Sequence, residues 1–220
     1  MARQNQSLEE YRGKRDFQLT KEPKGSANEG AASSRDLLYV VQKHQATRLH
    51  YDFRLEWRGV LRSWAIPKGP SRDPSVKRLA ARVEDHPVEY GDFEGSISEG
   101  QYGGGTVMLW DHGAWVPEVP DVDEALRNGE LKFTLRGKKL KGSWALVRTR
   151  GYGGRGRESW LLIKHRDRYA STEDILEKMP RSVASDRLLA GIARDTGGDP
   201  EKAAKGDPVR VGHPSGSRVR

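Results

Sequence analysis

Two histidines and an aspartate, His44, His50 and Asp52, stand close together in Gln42-Lys43-His44-Gln45-Ala46-Thr47-Arg48-Leu49-His50-Tyr51-Asp52-Phe53-Arg54-Leu55-Glu56. Imidazole and carboxylate groups bind divalent transition metals, and two histidines with one carboxylate leave positions open for water and substrate. From Leu49 to Glu56 polar and apolar residues alternate without a break. Successive side chains of a strand point to opposite faces. His50, Asp52, Arg54 and Glu56 therefore share one face, and Leu49, Tyr51, Phe53 and Leu55 the other. His44 lies six residues before His50, near enough to fold back over the polar face. Arg54 adds a planar guanidinium matched to phosphate oxygens. The same alternation is also the ordinary pattern of an amphipathic strand with a solvated face. Residue types and spacing leave both readings standing.

A second cluster is Glu84-Asp85-His86-Pro87-Val88-Glu89-Tyr90. Carboxylates around His86 favour its protonated form, which would hold a phosphate or protonate a leaving oxygen. A histidine before proline is as readily structural. Glu99-Gly100-Gln101-Tyr102-Gly103-Gly104-Gly105-Thr106 lacks the Gly-Lys-Ser/Thr ending of a nucleotide-binding loop and runs into VMLWD, so it reads as a tight turn. Lys138, Lys139 and Lys141 fall in a hairpin turn, within reach of a nucleic acid backbone or simply solvated. His112, His165 and His213 have no ligand-type partners at useful spacing.

The elements that must carry these residues are mostly strands. LLYVVQKH, RLHYDFRLEW, VLRSWAIP, LAARVEDHP, GTVMLWDHGAW, LKFTLRG, GSWALVRT and ESWLLIKHR are short runs rich in β-branched and aromatic residues. Turn signals separate them at Arg58-Gly59, Gly103–Gly105, Arg136-Gly137 and Lys141-Gly142. Such spacing predicts an antiparallel barrel or sandwich. Val122–Asn128 reads as a helix with an acidic start and a glycine stop. Residues 1–36 form an N-terminal segment and linker, 37–170 the β body, and 171–220 an extension. Thr172–Lys178 and Ser185–Arg194 are helix candidates. From about 197 onward the extension lacks a core signal and reads as disordered.

The net charge is +8. Residues 37–170 hold 23 basic and 17 acidic residues, so the β body carries +6 of it. That excess favours a polyanionic partner, although a merely soluble basic surface has the same charge. The chain has no cysteine, which excludes disulfides and thiolate metal sites. No apolar run approaches the roughly 20 residues of a membrane span, and no signal segment opens the chain. These features suit a cytoplasmic, nucleoid-associated protein with no membrane partner.

The runs VVQKHQATRLHYDFRLEWRGVLRSWAIPKGPS, ARVEDHPVEYGDFEG and GQYGGGTVMLWD closely resemble the 3′-phosphoesterase domain of bacterial ATP-dependent DNA ligase D, the ligase of non-homologous end joining. YRGKRDF and Lys21-Glu22-Pro23 are similar to its opening, and LRGKKLKGSWALVR and WLLIKHRD to its closing strands. The resemblance covers about residues 8–170. It implies a small closed antiparallel β-barrel with short helices and flexible termini, and a Mn²⁺ cofactor. It implies removal of a 3′-terminal ribonucleoside from a DNA primer, then of the remaining 3′ phosphate, leaving a 3′ hydroxyl. Carried over by position, His44, His50 and Asp52 are the metal ligands. Arg54 and His86 are phosphate contacts with Tyr90 beside them. Lys68, Arg78, Gln42 and Glu84 support the site and its substrate, and Arg15, Asp16 and Glu22 serve it from the N-terminal segment. The implied partners are primer–template 3′ ends and the end-joining ligase and polymerase. The family domain is usually fused to both. This chain is too short to hold either, so it reads as a free-standing version or a fragment.

Two other readings compete. A two-histidine, one-carboxylate barrel also describes a non-haem iron oxygenase, but Arg54, His86, Lys68 and Arg78 suit an anionic substrate better than an apolar pocket. A non-catalytic DNA-end binding module is the other, and the intact histidine set argues against it.

Overall fold

An open β-sheet leaves unpaired edges that invite association, and closing the sheet into a barrel removes them. The computed structural model, which describes residues 2–25, 36–149 and 158–208, has that closure. Its strands are β1 (Leu37–Gln45), β2 (Leu49–Trp57), β3 (Val60–Ile66), β4 (Lys77–Arg82), β5 (His86–Pro87), β6 (Gly95–Ile97), β7 (Gly105–Pro117), β8 (Glu130–Gly137), β9 (Lys141–Thr149) and β10 (Ser159–Lys164). Eight run antiparallel in the order β1-β2-β3-β4-β10-β9-β8-β7, and β7 pairs back onto β1. The two-residue β5 adds to β3, and β6 adds to β7. The fold is a closed eight-stranded barrel with short helices. All eight strand candidates read from the sequence fall in strands. The three-residue β6 is too short to give a pattern.

Local chemistry sets the register. The β2–β3 hairpin turns through Arg58 and Gly59, both at positive φ (52° and 75°). That conformation matches the right-handed twist of the strands it joins. At Gly105 a Cβ would lie 2.1 Å from the Gln45 carbonyl, so only glycine lets β7 begin against β1. Opposite Val41 and Gln42, β7 carries one extra residue, Trp110, in a bulge.

Inward side chains fill the barrel. Tyr39, Val41, Phe53, Leu55, Trp64, Trp110, Trp115, Phe133, Trp144, Trp160 and Leu162 are all buried. Against this packed interior, the polar residues of β1 and β2 must face outward. The outer face is not solvated, however. Asp52, Arg54 and Glu56 are 8 %, 2 % and 7 % exposed. A roof covers them, built from helix α1 (Ala2–Gly13), the chain following it, and a 3₁₀ turn at Val88–Asp92. Tyr11, Leu61 and Tyr90 form a small apolar cluster beneath that roof, with Phe17, Leu38 and Phe93 against it. Helix α2 (Val122–Asn128) matches the sequence reading. The Asp121 carboxylate accepts from the Glu124 amide, and Gly129 closes the helix in the left-handed region.

In the extension both helix candidates are met by helices, but residues 197–208, read as disordered, are ordered too. Residues 171–208 form α3 (Ile175–Lys178), α4 (Leu189–Thr196) and α5 (Pro200–Ala204) against the barrel. Ile175, Leu189, Ile192, Ala193 and Ala203 join the main core. Lys139, read as a solvated or DNA-facing lysine, is 6 % exposed. Its ammonium donates to the carbonyls of Met179 and Arg181. The Trp110 indole donates to the same Met179 carbonyl, and Glu94 accepts from Ser182 and Ser185. The missed signal is physical. α5 and the turn after it bury small Ala203 and close-packed Gly206, and Lys139 and Trp110 hold the seam through backbone oxygens, neither of which marks a sequence. Residues 209–220 lie outside the described residues.

Leu189 is fully buried in this seam. Leu189→Ala is expected to destabilise the protein by about 2–5 kcal/mol, measured by urea denaturation. A loss under about 0.5 kcal/mol would mean that the extension does not share the barrel's core.

Candidate active site

β1 and β2 pair so that His44 sits directly opposite His50 and Gln42 opposite Asp52. His44 and His50 thus come together across the ladder, and Asp52 follows His50 on the same face. The two rings are 4.8 Å apart. His44 Nδ1 is 3.9 Å and His50 Nε2 3.6 Å from Asp52 Oδ2.

Hydrogen bonds at the far side of each ring settle where the lone pairs point. His44 Nε2 lies 2.9 Å from the Gly103 carbonyl. His50 Nδ1 lies 3.0 Å from the Arg48 carbonyl. A carbonyl only accepts, so each of these nitrogens carries the proton. His44 Nδ1 and His50 Nε2 are left turned toward Asp52. Ligating histidines are oriented by the same kind of outer partner. One ligand atom from each of the three residues lies within 4.8 Å of the others. With both rings neutral these are three electron-pair donors facing one point, an arrangement that fits a divalent cation.

The electrostatics agree. Burial, with the His50 neighbour, lowers the His44 pKa to about 4, so it is neutral near pH 7. Burial raises the Asp52 pKa, but Arg54 and His50 outweigh it and hold the carboxyl ionised. For His50, burial pulls down and the Asp52 hydrogen bond and charge prevail, raising it.

Beside the triad Arg54 is enclosed. Its Nε donates to Gln42 Oε1 at 2.8 Å, and NH1 to Ser63 Oγ at 2.8 Å. NH1 also lies 3.0 Å from His86 Nδ1, and NH2 donates to Asp52 Oδ2 at 3.2 Å. Four of the five N–H donors of a guanidinium are thereby turned into the protein. One NH2 donor remains, so Arg54 does not offer a free fork to phosphate. Gln42 donates to the Tyr90 and Phe93 carbonyls. It is fully buried, which makes it a support for Arg54 and the 3₁₀ turn rather than a substrate contact.

His86 differs from its sequence reading. The carboxylates near it in sequence do not protonate it. Burial, then the charges of Arg54 and Arg15, hold its pKa well below 6.5. Nδ1 is 3.0 Å from both the Arg54 guanidinium and the Glu84 carbonyl. Its Nε2 faces the Arg15 NH2 at 3.4 Å, so both ring nitrogens meet guanidinium donors. Tyr90 packs edge-on to this ring at 4.7 Å and lies 5.0 Å from the Arg54 guanidinium.

The N-terminal segment closes one wall. Arg15 Nε donates to Glu22 Oε1 at 2.9 Å, and NH1 donates to the Tyr11 carbonyl. NH2 lies 3.4 Å from His86 Nε2, and NH1 3.6 Å from Glu84. Glu22 is 4 % exposed and braces Arg15 without reaching the cavity. Asp16 is exposed and caps its own turn through the Gln18 amide. Lys68 is exposed in the turn after β3 and does not line the cavity. Arg78 shares the inward face of β4 with Ala80 and pairs with Leu162, so it belongs to the barrel side of the wall. The cavity measures about 470 Å³. Arg15, His44, Arg48, His50, Asp52, Arg54, Glu84, His86 and Tyr90 reach it, as do Tyr102 and Gly103. Those last two, with Tyr11 and Lys14, were not legible as site residues. They enter only when the 98–104 turn and the α1 end meet over β2.

His50→Ala is expected to abolish Mn²⁺ binding by isothermal titration while leaving the unfolding free energy within about 0.5 kcal/mol, as befits a side chain outside the core. Undiminished metal affinity would remove His50 from the ligand set.

Known proteins share this arrangement of sequence. The model of the DNA Ligase D 3′-phosphoesterase domain matches residues 42–148. The multifunctional non-homologous end joining protein LigD of Pseudomonas aeruginosa is 53% identical over 187 residues, 83% of this chain and 22% of that protein. The multifunctional non-homologous end joining DNA repair protein LigD of Mycobacterium tuberculosis is 40% identical over 187 residues, 84% of this chain and 23% of that protein. LigD of Mycolicibacterium smegmatis is 41% identical over 165 residues, 73% and 21% respectively. The chain thus spans between a fifth and a quarter of the length of these relatives. Its barrel, through residues 42–148, belongs to the DNA ligase D 3′-phosphoesterase domain family.

Proposed function

We propose that this chain is a metal-dependent phosphoesterase that heals DNA 3′ ends in end-joining repair. It removes a 3′-terminal ribonucleoside, and then the exposed 3′ phosphate, to leave a 3′ hydroxyl. The observation that carries this reading is the convergence of three metal-ligand atoms beside two buried guanidiniums. The substrate is a polyanion, and the cavity wall is cationic through Arg15, Arg48 and Arg54. That wall disfavours the apolar pocket of an oxygenase. The ligand set also gives a pure end-binding module no reason to exist.

His44, His50 and Asp52 would hold the cation, and Mn²⁺ suits a site of two imidazoles and a carboxylate. Bound there, it supplies Lewis acidity at the phosphoryl oxygens. The protein's own part is positioning and charge. Arg54 keeps Asp52 ionised and offers its one free NH2 donor to a phosphoryl oxygen. His86, neutral and held between Arg54 at Nδ1 and Arg15 at Nε2, lines the phosphoryl site and fixes both guanidiniums beside it. Arg15 adds charge from the roof. Fixed donors aimed at developing charge cost no reorganisation during reaction. Glu84 and Glu22 keep Arg15 in place, and Tyr90 walls His86. DNA primer–template ends are the proposed partner, with the ligase and polymerase of end joining acting on the healed 3′ hydroxyl.

Two labelled primers, identical except for one 3′-terminal ribonucleotide, test the reading with Mn²⁺ present. The ribonucleotide primer should pass stepwise to a 3′ phosphate and a 3′ hydroxyl, with the all-DNA primer cut slowly. Comparable internal cleavage of both would make the protein a general nuclease. Arg54→Lys should lose about 10²–10³ in rate, close to the loss in Arg54→Ala, because an ammonium cannot bridge Gln42, Ser63, His86 and Asp52 together. Full activity of either variant would remove Arg54 from the reaction.

A further inference from the structure

Leu19, Tyr102 and Met179 are the exposed large hydrophobic side chains among the described residues. Tyr102 is 48 % exposed, and it lines the catalytic cavity. Its position there is fixed by the loop that carries it. The next residue, Gly103, gives its carbonyl to His44 Nε2 at 2.9 Å. Consecutive Cα atoms are about 3.8 Å apart, so the ring stands one residue from the metal-ligand shell. Ile97, which closes the wall behind this loop, is 4 % exposed and lines the same cavity.

The ring has little holding it in the protein. The Lys14 ammonium is 4.8 Å from its centroid and the Arg15 guanidinium 5.6 Å. The hydroxyl takes one long contact of 3.4 Å from Lys14. Both neighbours belong to the N-terminal segment. Aromatic rings normally bury their area, and this one leaves half exposed at the mouth of a polar, cationic cavity. A planar apolar surface beside a phosphate-binding floor fits a ligand that is itself planar on one side and anionic on the other.

We infer that Tyr102 is a base-stacking platform that holds the nucleobase next to the scissile phosphate. The inference rests on the phosphoesterase reading and goes beyond it by giving the site a nucleobase contact. A phosphate held by the triad, Arg54 and His86 would make no use of the Tyr102 ring. A nucleotide covers both. Stacking on a tyrosine tolerates any base, because every base has a π face. Tyr102 therefore selects nucleosides over simple phosphate esters without selecting sequence.

The experiment compares the parent with Tyr102→Ala and Tyr102→Phe under Mn²⁺. Each is assayed on a ribonucleotide-terminated primer and on matched primers lacking the base on the 3′ side, the 5′ side, or both sides of the scissile phosphate. Tyr102→Ala is expected to raise KM on the full primer about 5- to 150-fold, the equivalent of about 1–3 kcal/mol for one stacked base. Tyr102→Phe should keep the parental KM, since the hydroxyl has no part in stacking. The Ala defect should disappear on the primer that lacks the stacked base, and whichever single deletion erases it names the side held. A defect of equal size on the primer lacking both bases would mean that Tyr102 only props the loop or Arg15, and would overturn the inference. So would an unchanged KM for Tyr102→Ala on the full primer. Failure of the parent to cleave any of these primers would instead count against the phosphoesterase reading itself.

Discussion

A guanidinium taken out of water must be met by fixed partners, and in this protein much of the outer face is arranged to meet Arg54. At 2 % exposure it would be strongly destabilising alone. Its partners come from separate parts of the chain. Gln42 stands on β1, Asp52 on β2, Ser63 on β3, and His86 on β5. Each contact requires the β1–β2–β3 register to hold, because a slip by one residue would send every one of these side chains to the other face. Gln42 in turn takes the Tyr90 and Phe93 carbonyls, which seats the 3₁₀ turn against the barrel. Fold and site are therefore not separable here. The strands are in register partly because the cation needs them so.

The roof follows from the same requirement at one remove. Arg15 brings a second guanidinium against His86, and its compensation comes from Glu22 and Glu84. Lys14 adds a further contact to Glu84 at 3.2 Å. Tyr11 donates its hydroxyl to the Pro23 carbonyl at 2.6 Å, closing the N-terminal segment on itself. Two cations flanking one imidazole keep that imidazole neutral. His86 thus sits in the site as a neutral ring rather than as a cation.

Sequence and structure meet most closely where information is local. The β2 alternation places His50, Asp52 and Arg54 on one face, and glycine turns mark the strand ends, so the strands and part of the site can be read from residue order. His44 could be placed near that face by proximity along the chain, but its pairing opposite His50 depends on a hairpin register that pattern alone does not determine. What could not be read depends on contacts far apart in sequence. The charge of His86 follows from Arg54 and Arg15, distant residues, and not from the Glu84 and Asp85 beside it. The enclosure of Arg54 follows from Ser63 and His86. Helix α1 has no apolar period across its length to announce it, and Tyr102 looks like any residue in a glycine-rich turn. Lys68 and Arg78, assigned to the substrate by resemblance, stand outside the cavity as the structure has it.

The seam between barrel and extension joins a specific side chain to an unspecific one. Lys139 and Trp110 grip the carbonyls of residues 179 and 181, which every amino acid possesses in the same form. The tether is thus encoded on one side only. Substitutions at Met179 and Arg181 leave the acceptors in place and are nearly invisible to it, whereas the lysine and the tryptophan have no such latitude. Positions 179 and 181 can thus drift in composition over long times while the chain's path there stays where it is.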